Sequence, residues 1–231
     1  MNPVLILTHN CLELTKRCVA SVRNQDIPTR IMIVDNGSTD GTVDWLAEKE
    51  QAEIWFIGNV DNAGVSKGWN QGMRNLFFFL EIDHVLVIGN DTVLPIWFYS
   101  QLLSYQYPFV TGIAVDRMEQ IAEPPKHKSA DAHPDFSAFL IRREAWEKIG
   151  FFDERMSLYA SDCDYHIRAH RAGVKMMKAC IPFYHERSST LRLAQNEERD
   201  KIQNQANADR EVFRSIYGML PGQLGYAELF L

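Results

Sequence analysis

Val34-Asp35-Asn36-Gly37-Ser38-Thr39-Asp40-Gly41 is the stretch whose reading decides the fold. A short apolar run over residues 31–34 feeds into a carboxylate, a glycine bends the chain, and Ser38 or Asp40 stands ready to cap a following helix. Asp35 therefore falls at the carboxyl end of a buried strand, where open α/β sheets bind ligands. A carboxylate there can accept a ring N–H from a base such as uracil. The same residues also make an ordinary strand-to-helix turn with a capping Ser or Asp, so the octet alone leaves both readings open.

The surrounding sequence repeats the strand-then-helix order. Apolar runs lie at 4–7, 31–34, 54–57, 85–88 and 109–115, and helix-period stretches lie at 11–24, 42–50, 65–80 and 95–105. Alternation of this kind predicts a doubly wound α/β sheet flanked by helices. The strands lack apolar–polar alternation, as expected when both faces are buried. Residues 116–134 change character: Pro124, Pro125, Pro134, Lys126, His127, Lys128 and His133 read as a long mobile loop over the sheet edge, a candidate lid. A short strand at 136–141, a helix at 142–149 and a turn at 150–154 follow. Next come a helix at 161–172 closed by Gly173 and a strand at 174–179. Beyond residue 191 the chain is polar and helical to about 217, then irregular.

The chain has 231 residues, 46% of them hydrophobic, enough for one sizeable core. No run of eighteen apolar residues predicts a transmembrane helix. The start lacks the basic residues and cleavage site of a signal peptide, and Cys11, Cys18, Cys163 and Cys180 follow no metal-binding spacing. A cytoplasmic protein with reduced thiols is expected. The net charge of −6 argues against sequence-independent binding to nucleic acid.

Five segments can carry chemistry. Thr8-His9-Asn10 ends the first strand and offers hydrogen bonds and a flat ring, or merely a polar loop that caps a helix. In Asn62-Ala63-Gly64-Val65-Ser66-Lys67-Gly68-Trp69-Asn70-Gln71-Gly72, three glycines recur every four residues. Each helical glycine costs about 1 kcal/mol relative to alanine, so their use implies close approach of a ligand or of another backbone. Lys67 could meet a phosphate, and tight helix–sheet packing explains Gly68 and Gly72 equally well. Gly89-Asn90-Asp91-Thr92 again runs a buried strand into a carboxylate, which could bind Mg²⁺ or Mn²⁺ or simply form a turn. Asp162 and Asp164 open a helix, whose N-terminus stabilises negative charge; either can serve as general base, or they can simply cap the helix, with Asp164 paired to Arg168 at spacing four. His185 follows a strand and could be a late metal ligand, with Arg187, Ser188 and Ser189 placed to hold phosphate oxygens.

Two other sites are weaker. Asp162, His166 and His170 share a helix face at spacing four, but no further zinc ligand follows from the sequence. Thr8-His9-Asn10-Cys11 stands where a dinucleotide fold would need G-x-G-x-x-G, so NAD is not expected.

Taken in order over roughly residues 3–190, these segments resemble the family 2 glycosyltransferases of the GT-A fold. The pieces are Thr8-His9-Asn10 with the helix around residues 14–22, the stretch 34–42, the stretch 62–72, and Asn90-Asp91-Thr92. Ile141-Arg142-Arg143 with the turn 150–154 comes next, then Asp162-Cys163-Asp164 with Arg168 and Gly173, and finally His185. The resemblance implies a GT-A (Rossmann-like) doubly wound mixed sheet over 1–190, with a nucleotide-binding half at about 1–115 and an acceptor-binding half at about 116–190. Residues 191–231 would form a C-terminal helical extension.

The resemblance also implies an inverting transfer from a nucleoside-diphosphate sugar, UDP or dTDP favoured, to an acceptor hydroxyl. Asp162 would be the base, with Asp164 second. Thr8, His9, Asn10, Asp35, Asn62, Lys67, Asn70 and Asn90 would bind donor, and Asp91 and His185 would hold Mg²⁺ or Mn²⁺ on the diphosphate. Two positions depart from the family: Gly89 stands at the first place of the DxD motif, and Ser161 where Glu is frequent before the base. A nucleotidyltransferase and a non-catalytic nucleotide-sugar-binding module are the alternatives. The acceptor is left open among a glycan, a lipid-linked sugar, a protein, a metabolite or a modified base. Peripheral attachment to a membrane is compatible with the absence of a span.

Overall fold

The computed structural model describes residues 2–49, 54–122, 134–186 and 196–230. Its centre is one eight-stranded sheet in the order β3-β2-β1-β4-β7-β6-β8-β5. The strands are β1 (Asn2–Thr8), β2 (Thr29–Asp35), β3 (Ile54–Gly58), β4 (His84–Gly89), β5 (Thr92–Val93), β6 (Phe109–Val115), β7 (Ala138–Arg142) and β8 (Met176–His185). β3, β2, β1 and β4 run parallel, β7 lies antiparallel between β4 and β6, β8 runs parallel to β6, and β5 pairs antiparallel with the end of β8. The sheet is therefore mixed.

Burial explains why the central strands are apolar throughout. Val4, Ile6, Ile31, Ile33, Leu86 and Ile88 face one layer, which holds α1 (Leu12–Arg23), α2 (Thr42–Lys49) and α4 (Phe98–Ser104). Their strand neighbours Leu5, Leu7, Met32, Val34, Val85 and Val87 face the other. That second layer holds α3 (Val65–Arg74), α5 (Arg143–Ile149) and α6 (Ser161–Arg171). Alternate residues thus enter separate apolar cores, so these strands have no polar face to give a period of two.

The second core is aromatic at its centre. Phe152 stacks on Tyr165 with ring centroids 4.0 Å apart, and Phe109 stacks on Phe139 at 5.0 Å. A third cluster joins Met156, Ile167 and Phe213, the last on α7 (Asn196–Tyr217), with Tyr226 and Phe230 packed around it.

Three differences from the sequence expectations have local causes. The helix expected over 65–80 changes at Asn75 into a π-helical turn, Asn75–Phe79. The strand expected to end at 179 continues to His185, because Ile181 and Phe183 are buried and β6 and β5 supply pairing partners. The helix expected from Pro95 starts at Phe98, after a turn in which Phe98 N–H donates to the Pro95 carbonyl at 3.0 Å. Of the proposed lid at 116–134, residues 118–121 form a 3₁₀ turn, and 123–133 lie outside the described residues together with Lys126, His127, Lys128 and His133. Arg187, Ser188 and Ser189 also lie outside them.

Candidate functional site

The carboxyl ends of β1, β2 and β4 meet at one edge of the sheet, as their parallel pairing requires. Two consecutive left-handed residues, Asn10 (φ 54°) and Cys11 (φ 60°), turn the chain there from β1 into α1. Non-glycine residues hold such angles only where their surroundings enforce them. The enforcement comes from β2's turn. Asn10 N–H donates to Ser38 Oγ at 2.7 Å, Thr39 N–H donates to Asn10 Oδ1 at 2.8 Å, and Leu12 N–H donates to Asp40 Oδ2 at 2.8 Å. Asp40 Oδ1 also accepts from the hydroxyl and N–H of Thr42, so one carboxylate caps two helices. Burial raises the Asp40 pKa, but these hydrogen bonds together outweigh it and leave the carboxyl below its ordinary value. Gly37, at φ 69° against the Asp61 backbone, leaves no room for a side chain in the same turn.

A cleft of about 740 Å³ opens at this edge. Its floor is Thr8, His9, Asn36, Asn90 and Asp91, and its far wall is the loop Leu158–Tyr159–Ala160 with Asp162 at the start of α6. His185, Lys178, Asp135 and Ser137 complete it. A second hollow, about 770 Å³, adjoins it through the shared residues His9, Asn62 and Leu158. Asn10, Thr39 and Arg155 line this second hollow, as do Lys201 and Gln205 of α7.

Of the residues singled out from the sequence, His9, Asn62, Asn90, Asp91, Asp162, His185 and Thr8 line the first cleft, and Asn10 lines the second hollow. Their polar atoms are differently engaged. His9 Nδ1 donates to the Asn36 carbonyl at 2.8 Å, which fixes the tautomer and the ring plane. The Asn90 amide donates to Thr8 Oγ1, Thr15 Oγ1 and the Asn10 carbonyl, between 3.0 and 3.2 Å, so Thr8 and Asn90 latch β4 to β1.

Asp91 and His185 meet because β5 and β8 pair with Thr92 opposite His185. Glu186 N–H donates to the Asp91 carbonyl at 2.9 Å, and His185 Nε2 lies 3.3 Å from Asp91 Oδ2. A Cβ at residue 89 would stand 2.9 Å from Asp91 Oδ1, so Gly89 leaves that carboxylate its place.

Four residues stand elsewhere. Asp35 is fully buried beneath the cleft; its Oδ1 accepts the Ser38 hydroxyl and its Oδ2 the Ser38 N–H. The carboxylate in this arrangement shapes the turn. Lys67 is exposed and lines neither hollow. The reason lies in α3, whose first donors go to protein: Val65 N–H to the Ser157 carbonyl and the Ser66 hydroxyl to the Met156 carbonyl, both 2.6 Å. Gly64 (φ 83°) lets Ser157 come this close, while Gly68 and Gly72 press on Leu7 and Leu5. The glycine stripe is helix–sheet packing. Asn70 is buried; its amide donates to the Phe152 carbonyl at 2.9 Å and its Oδ1 accepts the Phe152 N–H at 2.8 Å, so it clamps the turn before α6. Asp164 is 3% exposed in its side chain, paired with Arg168 at 2.8 Å, and accepts the Tyr217 hydroxyl at 2.7 Å. These partners engage both of its carboxylate oxygens. Burial, followed by that hydrogen bond, pushes the Tyr217 pKa up.

Burial, then the Asp162 charge, pushes Cys163 up to about 12, and burial pushes Cys18 to about 12. The cleft residues missed in the sequence are Asp135, Ser137, Tyr159 and Lys178. Lys178 left one sign: it is the single charge in the β8 run Met176-Met177-Lys178-Ala179-Cys180.

Among the described residues, no three His, Cys, Asp or Glu side chains gather into a cluster able to hold a metal. Asp91 and His185 offer one oxygen and one nitrogen on the cleft wall. Such a pair fits a cation that takes its remaining ligands from phosphate oxygens and water, as Mg²⁺ commonly does.

A sequence profile described as Glycosyl transferase family 2 matches residues 4–162. No curated protein sequence matches the chain. Among solved structures, S. aureus TarS superposes with a TM-score of 0.63 at 16% identity, over 100% of this chain and 47% of that one. Mannosyltransferase PcManGT from Pyrobaculum calidifontis, in complex with GDP-Man and Mn²⁺, gives 0.59 at 16% identity over 98% and 77%. The inositol-1-phosphate CTP transferase from T. maritima gives 0.55 at 12% identity over 91% and 97%. At such identities the likeness is one of fold, and this chain spans about half of TarS, 47%.

Proposed function

The chain belongs to glycosyl transferase family 2 and has the GT-A fold, and from that premise we propose that it moves a sugar from a nucleoside-diphosphate sugar to an acceptor hydroxyl with inversion. The observation that carries this reading is the meeting of Asp91, Asp162 and His185, distant in sequence, around one cleft with His9. The complexes named for related folds hold UDP, in TarS, and GDP-Man with Mn²⁺, in PcManGT, which supports a nucleotide-sugar donor.

In this reading the base and ribose lie toward His9, Asn10 and Asn62, where the two hollows join. Asp91 and His185 would hold Mg²⁺ or Mn²⁺. When bound, the ion neutralises charge on the leaving diphosphate. Asp162 takes the proton of the acceptor hydroxyl on its carboxylate as that oxygen attacks the anomeric carbon from the face opposite the diphosphate. Asp162 Oδ1 already accepts the Cys163 N–H at 2.8 Å, which orients the carboxylate. The loop 158–160 closes one side and limits water. We read residues 1–190 as the transferase domain, with 116–190 as its acceptor half and 191–231 as an extension. No helix among the described residues is long and apolar enough to cross a membrane, which suits work in the cytoplasm or at the inner membrane face.

The test is product analysis with UDP-, dTDP- and GDP-sugars plus Mn²⁺. Release of nucleoside diphosphate supports sugar transfer. Release of pyrophosphate from a nucleoside triphosphate supports a nucleotidyltransferase, a class also present among the similar folds. That rival commonly uses a glycine-rich basic loop after the first strand, where this chain has Thr8-His9-Asn10-Cys11. Unchanged turnover in Asp91→Ala and Asp162→Ala would remove catalysis from this cleft.

A further inference from the structure

The loop that carries Asp162 into the cleft is held by a residue outside it. Asp209, near the middle of α7, is fully buried. Its Oδ2 accepts the backbone N–H groups of Leu158 and Tyr159 at 2.7 and 2.8 Å, and its Oδ1 accepts the Gln205 amide at 2.8 Å. Leu158 and Tyr159 line the cleft, and the next residue, Ala160, is left-handed at φ 61° and starts α6. We infer that Asp209 is a positioning residue for Asp162: its carboxylate fixes the loop entering α6 and so sets where the base stands. The inference rests on the proposed role of Asp162.

The argument is one of constraint. A left-handed alanine persists only when both flanks are fixed. On the amino side, the loop's carbonyls at Met156 and Ser157 accept from Ser66 and Val65 of α3. Its amides at 158 and 159 are both held from the other side by the Asp209 carboxylate, which is itself fully buried. Hydrogen bonds to a carboxylate are in general stronger than those between neutral groups. On the carboxyl side, the Tyr217 hydroxyl of the same helix holds Asp164, two residues beyond the base. α7 therefore grips the segment on both sides of Asp162 while contributing no carboxylate to the cleft. Gln205 links this grip to the second hollow, which it lines. A carboxylate that only stabilised the fold would not distinguish donor binding from transfer; one that aims the base would affect transfer alone.

The experiment compares full-length wild type with Asp209→Asn and Asp209→Ala. Three quantities are measured: amide exchange at residues 156–162, affinity for UDP with Mn²⁺, and kcat for UDP release from whichever UDP-sugar of a panel the wild type hydrolyses fastest. In Asp209→Ala, exchange at Leu158 and Tyr159 should quicken, and kcat should fall about 10- to 100-fold, the scale of an ångström's misplacement. UDP affinity should stay within about 2-fold of wild type, and Asp209→Asn, which keeps an acceptor oxygen, should recover part of kcat. Equal falls in kcat and UDP affinity, or wild-type kcat in a folded Asp209→Ala, would overturn the inference. Should the alanine variant not fold, the asparagine variant is judged by the same criteria. Exchange needs no turnover: unchanged exchange at 158 and 159 in a folded Asp209→Ala overturns the clamp alone, whereas a wild type that releases no UDP while exchange responds overturns the sugar-transfer reading.

Discussion

His185 Nε2 lies 3.3 Å from Asp91 Oδ2 because a two-residue strand, Thr92–Val93, zips onto the far end of β8. Both side chains are about one-fifth exposed, 20% and 17%, so each is held in place yet open to the cleft.

Removing either member should uncouple nucleotide binding from the cation. UDP with Mn²⁺ at a hundred times its Kd would stabilise the native protein by about 2.7 kcal/mol. In Asp91→Ala that gain should largely vanish, and in His185→Ala it should fall, while the melting temperature without ligand changes little. Thermal melts with UDP, with Mn²⁺ and with both give the answer; an equal gain in all three proteins refutes the assignment.

The two aspartates at the head of α6 should separate cleanly. Asp162→Ala should lower turnover by about 100- to 10,000-fold with a nearly unchanged melting temperature. Asp164→Ala breaks a buried pair with Arg168 and strands the Tyr217 hydroxyl, so it should cost about 1–3 kcal/mol of stability. Chemical denaturation beside single-turnover rates distinguishes these patterns, and a reversal would exchange the roles.

Stability should fall in two acid steps. Burial, then Arg142, lowers the pKa of His84, so the folded state keeps that imidazole neutral while the unfolded chain protonates near 6.5. Stability is full above 6.5 and declines as pH falls below it. Asp40 has a lowered carboxyl pKa, so its contribution holds above the unfolded value of 3.8 and is lost as pH falls through the lower folded value. His84→Phe should flatten the first step, and Asp40→Asn the second. Melting curves from pH 8 to pH 3 that keep both steps in the variants would contradict this.

The glycines of α3 should tolerate nothing large. A side chain at residue 72 meets the fully buried Leu5, and Gly72→Val should destabilise by about 1–3 kcal/mol through overpacking. Lys67→Ala, on the exposed side of the same helix, should leave both stability and UDP affinity unchanged. A weakened UDP affinity in Lys67→Ala would restore the phosphate reading.

The parallel strands were readable from composition because β1, β2 and β4 are buried on both faces and bounded by turn residues. The positions of Asp91 and Asp162 were readable because the first follows β4 into a turn and the second lies in the opening turn of α6. The full length of β8 was not, since Cys180 and Pro182 interrupt an already short apolar run and its partner β5 has only two residues, too few to show a period. Side-chain direction was the larger gap. Asp35, Asn70 and Asp164 are polar residues at the right places whose hydrogen bonds turn them into the protein, and only the positions of Ser38, Phe152 and Arg168 reveal it. Asp209 is one carboxylate in a helix crowded with charge, and nothing in its neighbours separates it from the solvated ones.

The pairing of β5 with β8 constrains any attempt at chimeras. The sequence-profile match ends at residue 162, yet the imidazole beside Asp91 arrives on a strand that ends at 185. A hybrid that borrowed only the matched portion would carry Asp91 and Asp162 but no histidine beside the acidic turn, so a transplantable unit must run at least through the end of β8.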